Sequence, residues 1–359
     1  MDILIISTGG TISMAHDDND VAISDDKAYK GDFFTRMILK FKAQYNLDFI
    51  SKVTSKTILN KDSSNINMDD WKLITNTIVE NYDSFDAFIV THGTDTMGYT
   101  TSALSYALGN LGKPVVFTGA QVSYGQIGTD SVMNLENVLR FLKHLPEAAG
   151  VFLVFGTQII SGTRVKKKTE FDYDSFRGTR RFTDIGTFGN TIDIKYPALD
   201  LHHSFLGSRT KKAIELDVRN NFESNIAVLS TFPGMNPEII IKLAESGTKG
   251  FILRGYGDGD IDVSSNPDCK ISLNAALKYL ELNNIPVVIT DQTPHGVASM
   301  SRYEMGVLGK QLGAIPAMDM SIEATVTKLA WLLGNGYSFS EIRELMEKSI
   351  RGEVSVRKN

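Results

Sequence analysis

Two stretches decide the fold of this chain: Ser7-Thr8-Gly9-Gly10-Thr11-Ile12, which follows the apolar run Ile3–Ile6, and Thr91-His92-Gly93-Thr94-Asp95-Thr96-Met97, which follows Ala87–Val90. In each, a short uninterrupted apolar run, the mark of a strand covered on both faces, opens into a turn rich in Thr and Gly. Open parallel sheets take their ligands in the crevice at the carboxyl ends of the strands. The hydroxyls of Thr11 and Thr94 and the carboxylate of Asp95 are therefore expected at a ligand edge, the layout of a nucleophile site. Either stretch alone would also suit ordinary strand-end chemistry, because Gly takes backbone angles that other residues avoid and Thr suits both strands and caps.

Outward from these stretches the alternation continues. Val115–Thr118 and Val151–Phe155 read as further buried strands, a helix starts near Asn67 with Trp71, Ile74 and Ile78 on one face, and another runs through Asn134–Leu142. Segment 204–221 turns polar and basic, with Arg209, Lys211, Lys212 and Arg219 breaking any period, and reads as a linker between residues 1–203 and 222–359. Beyond it the pattern resumes with strands at Ile226–Leu229, Phe251–Leu253 and Val287–Ile289. Helices are expected from Asn236-Pro237-Glu238, through Leu273–Leu282, after Ser321 and after Ser338. The expected fold class is α/β: two unequal α/β domains with mostly parallel sheets, the larger one N-terminal.

A chain of 359 residues, 42% hydrophobic and 22% charged, can bury a large core. Its formal charge of -5 and the lack of a long basic run argue against a nucleic acid or an anionic membrane as partner and for a small-molecule substrate. The single cysteine, Cys269, leaves no intrachain disulfide and no cysteine cluster for a metal, which suits a reducing compartment. Met1-Asp2 leads into the first strand with no signal-like region, and no apolar stretch approaches ~20 residues, so the expected location is the cytoplasm.

A hydroxyl that acts as a nucleophile on a carbonyl needs a proton acceptor and stabilisation of the oxyanion that forms. In order and form the two opening stretches resemble the signature segments of the asparaginase/glutaminase family, bacterial-type L-asparaginases that hydrolyse a side-chain amide with threonine nucleophiles. The cytosolic type I branch is the nearest match. The resemblance implies that Thr11 is the primary nucleophile, Thr94 the second catalytic Thr and Asp95 the carboxylate of a Thr–Lys–Asp relay. Arg164-Val165-Lys166-Lys167-Lys168 is by composition a solvated basic loop. The type I spacing of Arg, Lys and a Phe nine residues later selects Arg164, Lys167 and Phe176, so Lys167 is the expected relay lysine, with Lys168 the fallback. Asp62-Ser63-Ser64-Asn65, otherwise a capping turn, matches the family's substrate-binding turn and implies Asp62, Ser63 and Ser64 as ligands. Thr118-Gly119-Ala120-Gln121 ends another strand and resembles a further site-forming turn of the family, one more often architectural than catalytic; Thr129-Asp130-Ser131 is similar and reads as structural, and His92 as a core histidine rather than a base.

The resemblance covers nearly the whole chain, including Glu323-Ala324-Thr325 and Thr327-Lys328-Leu329. It implies no metal or organic cofactor and a homodimer or dimer of dimers, with the loop at Gly255–Asp260 crossing the subunit interface. Two positions depart from it. The family's lid tyrosine falls on Val21, with Tyr29 the nearest substitute, and the rim Asn of the interface loop is Asp260. The reading is thus an amidohydrolase of L-asparagine. Its alternatives are hydrolysis of a related amide, such as D-asparagine, a modified asparagine or a small peptide or cyclic amide, and a non-catalytic amino-acid-binding protein.

Overall fold

A computed structural model describes residues 1–13, 15–16, 22–23, 32–179, 184–205, 215–264 and 271–355, in two compact units, Met1–Asn220 and Asn221–Asn359. The strands of three or more residues in the first unit are β1 (Asp2–Gly9), β2 (Lys52–Lys61), β3 (Ala87–Thr91), β4 (Pro114–Thr118), β5 (Gly150–Phe155), β6 (Gln158–Ser161), β7 (Val165–Lys167), β8 (Phe176–Gly178), β9 (Asp184–Phe188) and β10 (Ile192–Ile194). Its helices are α1 (Asp32–Tyr45), α2 (Met68–Glu80), α3 (Met97–Ala107), α4 (Ser131–His144) and α5 (Tyr196–Phe205).

An eight-stranded sheet runs in the order β10-β9-β6-β5-β4-β3-β1-β2. From β2 to β5 the neighbours are parallel, and β6, β9 and β10 close one edge in antiparallel pairs. Ile3, Leu4, Ile5 and Ile6 of β1 are all fully buried, as its uninterrupted apolar run predicts, and each contributes about 1.5–3 kcal/mol of transfer free energy. α2 starts where Asn67 accepts from the backbone N–H of Asp69 and Asp70, while the Asp70 carboxylate accepts from Asn67 N. That capping box satisfies N–H groups the first turn leaves open, and Trp71, Ile74 and Ile78 turn inward as expected.

The second unit holds a parallel sheet of β11 (Ile226–Ser230), β12 (Gly250–Gly255), β13 (Val287–Asp291) and β14 (Ile315–Pro316), in that order. Its helices are α6 (Glu238–Glu245), α7 (Asn274–Leu282), α8 (Glu304–Gln311), α9 (Ile322–Gly334) and α10 (Phe339–Glu347). The Asn236 side chain accepts from Glu238 N, yet Pro237 occupies the cap position of α6, one residue later than the sequence pattern suggests. Ser321 and Ser338 cap α9 and α10 through their hydroxyls. The molecule thus contains two unequal α/β units with mostly parallel sheets, the larger first. Part of the segment read as linker is held in the first unit, where Asp217 and Val218 pair antiparallel with Gly109 and Leu108. Among the described residues no helix is long and apolar enough to cross a membrane.

Candidate active site

β1 and β3 are sheet neighbours with Ser7 opposite Thr91, so the turns that follow them leave the same sheet edge side by side. Thr8 Oγ1 donates to Thr91 O at 2.9 Å, and Gly10 N donates to Lys61 O at 3.1 Å, which ties in the turn after β2. The glycines set how close these turns come. A Cβ on Gly10, at φ +79°, would lie 2.3 Å from Gly93 N, and one on Gly93 would lie 2.7 Å from both Cβ and Oγ of Ser63. Three loops therefore meet with backbone against backbone, which no side chain at Gly10 would permit. Thr11, Ser63 and Thr94 stand next to those glycines at one place.

The turn after β2 is braced by Lys61, whose Nζ donates to both Asp70 carboxylate oxygens at 2.8 and 2.9 Å. Asp62 Oδ1 accepts from Ser64 N at 2.8 Å and from Ser64 Oγ at 2.6 Å, so Asp62 and the exposed Ser64 hold one another as a capping turn. Ser63 is buried and reaches the second turn twice. Its Oγ accepts from Asp95 N at 3.2 Å, and its carbonyl accepts from Thr96 Oγ1 at 2.7 Å.

Lys167 lies at the end of β7, which forms a hairpin with β8 rather than the open loop its composition suggests. Lys167 stands opposite Phe176, and that register is the reason for the nine-residue spacing between them. Phe176 is buried edge-on against Phe155, with ring centroids 5.0 Å apart, and so fixes the hairpin. Lys167 Nζ then reaches Thr94 Oγ1 at 2.8 Å and Asp95 Oδ1 at 2.6 Å. The neighbouring lysines do otherwise. Lys168 Nζ lies 3.9 Å from Asp172, and Lys166 sits opposite Arg177. Thr94 is buried at 7% exposure while the Asp95 side chain is 61% exposed, so the cluster runs from the protein interior to solvent. A threonine hydroxyl, an ammonium and a carboxylate in hydrogen-bond sequence are equipped to pass a proton.

His92, just before Thr94, takes no part. It is fully buried, its Nδ1 lies 2.7 Å from Gly93 O and its Nε2 lies 3.0 Å from Thr100 Oγ1. Burial lowers its pKa to about 4, against a weaker upward pull from the Gly93 carbonyl, so the imidazole is neutral. The turn 129–131 is architectural too: Asp130 accepts from Gln121 N and Val122 N, and Asn134 bridges Asp130 and Gly119. Gln121, the last residue of the turn that the sequence marks as site-forming but more often architectural, reaches the cluster: its Oε1 accepts from Thr94 Oγ1 at 3.3 Å.

Val21 and Tyr29 lie outside the described residues. Asp260 belongs to the second unit, following the tight turn at Gly257–Gly259 in which Asp258 has φ +59°. Burial and the nearby Asp258 carboxylate raise the Asp260 pKa, with the Gly306 backbone N–H opposing them. Asp258 is also pushed up by burial, but hydrogen bonds from Ser299 Oγ and the N–H groups of Arg302 and Ser301 outweigh this and hold it below the usual carboxylate range.

Comparison with known proteins places this geometry in a family. Residues 2–200 match the model of the N-terminal asparaginase domain and residues 225–346 that of the glutaminase/asparaginase C-terminal domain. The chain is 32% identical to an L-asparaginase of Thermococcus kodakarensis over 99% of both proteins, and 31% identical to L-asparaginase 1 of Escherichia coli over 82% of each. It is also 30% identical to a glutamyl-tRNA(Gln) amidotransferase subunit of Pyrococcus abyssi, across 99% of this chain and 77% of that one. Among solved structures, the thermostable L-asparaginase of Thermococcus kodakarensis superposes with a TM-score of 0.83 at 30% identity, covering 99% of this chain and 100% of that one. L-asparaginase I of Vibrio cholerae gives 0.81 at 28% identity, covering 99% of each. With both halves of the chain matched and full-length relatives above 30% identity, this protein belongs to the asparaginase family of amidohydrolases and is an enzyme acting on amides.

Proposed function

We propose that the protein hydrolyses L-asparagine to L-aspartate and ammonia through a threonine nucleophile. The observation that carries this reading is Lys167 Nζ, which bridges Thr94 Oγ1 and Asp95 Oδ1 beside the crossing of the Gly10 and Gly93 turns. Thr11 Oγ1 attacks the side-chain carbonyl, the hydroxyl proton passes to the Thr94–Lys167–Asp95 relay, and backbone N–H groups hold the oxyanion. The C–N bond breaks as the relay returns a proton to the leaving nitrogen. Water then cleaves the Thr11 ester, releasing aspartate and restoring the hydroxyl. Asp62, Ser63, Ser64 and Asp260 are the residues assigned to recognition of the amino-acid end of the substrate. The working enzyme is a cytoplasmic homodimer or dimer of dimers and uses no cofactor. Ammonia release from L-asparagine, D-asparagine, L-glutamine and an N-acylated asparagine tests this; absence of L-asparagine turnover refutes it.

A second reading keeps the chemistry and changes the amide. It is favoured by Asp260, a carboxylate where the family pattern has Asn, and by Val21 where that pattern has Tyr. A carboxylate at the rim favours a free cationic amine over an acylated one, and sites that pair polar groups discriminate sharply between the two. Asp260→Asn is expected to change the kcat/KM ratio of L-asparagine to N-acylated asparagine. An unchanged ratio removes Asp260 from the substrate's surroundings.

A further inference from the structure

We propose that Gln121 is a positioning residue of the proton relay, holding the Thr94 hydroxyl proton away from Lys167 and coupling the relay to the turn between β7 and β8. The proposal rests on the relay read above. Gln121 follows β4, and its backbone is fixed by the Asp130 carboxylate, which accepts from Gln121 N at 2.9 and 3.0 Å. Its Nε2 donates to Glu170 O at 3.2 Å and to Ser175 Oγ. Glu170 O can only accept. The fully buried Ser175 directs its own hydroxyl proton to Asp172 O, so it too accepts from Gln121. Two acceptors at one end of the amide assign the nitrogen there and turn Oε1 to Thr94.

A carbonyl oxygen only accepts, so the Thr94 hydroxyl proton points at Gln121 Oε1 over 3.3 Å, and the oxygen's lone pairs face Lys167 Nζ at 2.8 Å. In this arrangement Lys167 donates to Thr94 and to Asp95 at once. Before Lys167 can take a proton from Thr94, the hydroxyl has to turn off Gln121. The long bond makes that rotation inexpensive, and Gln121 sets the direction to which the hydroxyl returns. Asp95 is the charged group facing Lys167 among the described residues, since Lys168 is turned to Asp172.

The test compares wild type with Gln121→Met, Gln121→Glu and Ser175→Ala by steady-state ammonia release over a range of pH, using the amide that wild type turns over best. Lys167→Met serves as the reference. With the carbonyl gone, the Thr94 hydroxyl is at liberty to donate to a neutral Lys167, which favours the amine form. Gln121→Met also removes the acceptor that sets the direction to which the Thr94 hydroxyl returns after each transfer, so kcat is expected to fall about tenfold, the worth of one hydrogen bond, with KM held within about twofold. The acid limb of its profile moves to lower pH. Gln121→Glu brings a carboxylate of the same shape beside the relay, and the limb moves to higher pH. Ser175→Ala, which loosens one of the two acceptors on Nε2, gives a smaller loss of kcat. Equal losses with an unmoved acid limb would make Gln121 a structural brace and overturn the proposal. Should Gln121→Met fail to fold, the sign of the Gln121→Glu shift decides alone. An active Lys167→Met enzyme would overturn the relay itself; an inactive one beside unaltered Gln121 variants would overturn only the role of Gln121.

Discussion

Replacing Gly10 by Ala tests whether backbone contact between the turns after β1 and β3 builds the site. Gly336 provides a matched control, because its φ of +77° nearly equals the +79° of Gly10. At Gly336 an added Cβ meets nothing within 4 Å, whereas at Gly10 it lies 2.3 Å from Gly93 N and 2.5 Å from Gly93 Cα. Left-handed backbone costs an ordinary L residue about 1–2 kcal/mol, and Gly336→Ala should lose that amount and nothing more. Gly10→Ala bears the same penalty and an overlap with main-chain atoms, which cannot swing aside as the tip of a long side chain can. Overpacking of this kind adds about 1–3 kcal/mol, so the expected loss is roughly 2–5 kcal/mol. Ordinary contact begins near 3.4 Å, so the turns must part by about 1 Å. A misplacement of that size costs on the order of 100-fold in turnover. Urea unfolding and kcat, measured on both variants, read the two effects separately. If the variants lose equal stability and Gly10→Ala keeps its turnover within a few-fold, the turns do not meet as described and the reasoning fails.

Further outcomes follow from single contacts. Thr11→Val, which keeps shape and removes the hydroxyl, should lower turnover at least ~1000-fold, and Lys167→Met should abolish it while Lys166→Met is nearly silent; loss confined to Lys168→Met would show the relay one residue later. Lys328 and Glu353 form an ion pair 2.5 Å apart with both side chains fully buried, so Lys328→Met strands a carboxylate and should cost about 3–5 kcal/mol in urea unfolding. A Lys328→Met, Glu353→Leu double variant should recover much of this, and no recovery would mean the loss is one of packing. His202 is fully buried on Ser161 Oγ, and burial followed by repulsion from His203 lowers its pKa to about 3. Because the unfolded chain binds that proton near pH 6.5, the contribution is complete above that pH and is lost as the pH falls toward 3, by roughly 5 kcal/mol in full. His202→Gln should flatten the acid side of the stability curve, and an unaltered slope would show that this histidine is not the one responsible.

The fold was legible wherever burial is two-sided or a cap is chemically distinct. β1, β3, β4 and β5 are continuous apolar runs because helices cover both faces of the sheet, and α2 announces itself through Asn67 and Asp70. β2 was invisible for the opposite reason: Lys52–Lys61 is an edge strand of half-exposed residues whose Lys and Thr side chains follow neither period. α3 escaped as well. Its sequence, Met97-Gly98-Tyr99-Thr100-Thr101-Ser102, is rich in small and hydroxylated residues because the helix is buried all round, so no amphipathic stripe forms. The antiparallel edge of β6, β9 and β10 is set by pairings between distant segments, which local composition does not carry.

Within the site, the residues that sequence could name are those whose chemistry is unusual at their place, a threonine after two glycines or a carboxylate beside a threonine. What it could not name is who partners whom. Lys167 was separable from Lys166 and Lys168 only through the resemblance, since three adjacent lysines have one composition. In the structure the choice follows from the hairpin: pairing with Phe176 points Lys167 at Thr94, and the alternation of a strand sends its neighbours elsewhere. The turn that ends in Gln121 was readable as site-forming, but not what its amide touches, because that is set by Glu170 and Ser175, 49 and 54 residues away. Each Gly in Gly9-Gly10 and in Gly93-Thr94 was readable as permissive backbone, but not as a contact between the two motifs. That contact makes one site of two strand ends, and it is a property of the sheet order, in which β1 lies between β3 and β2.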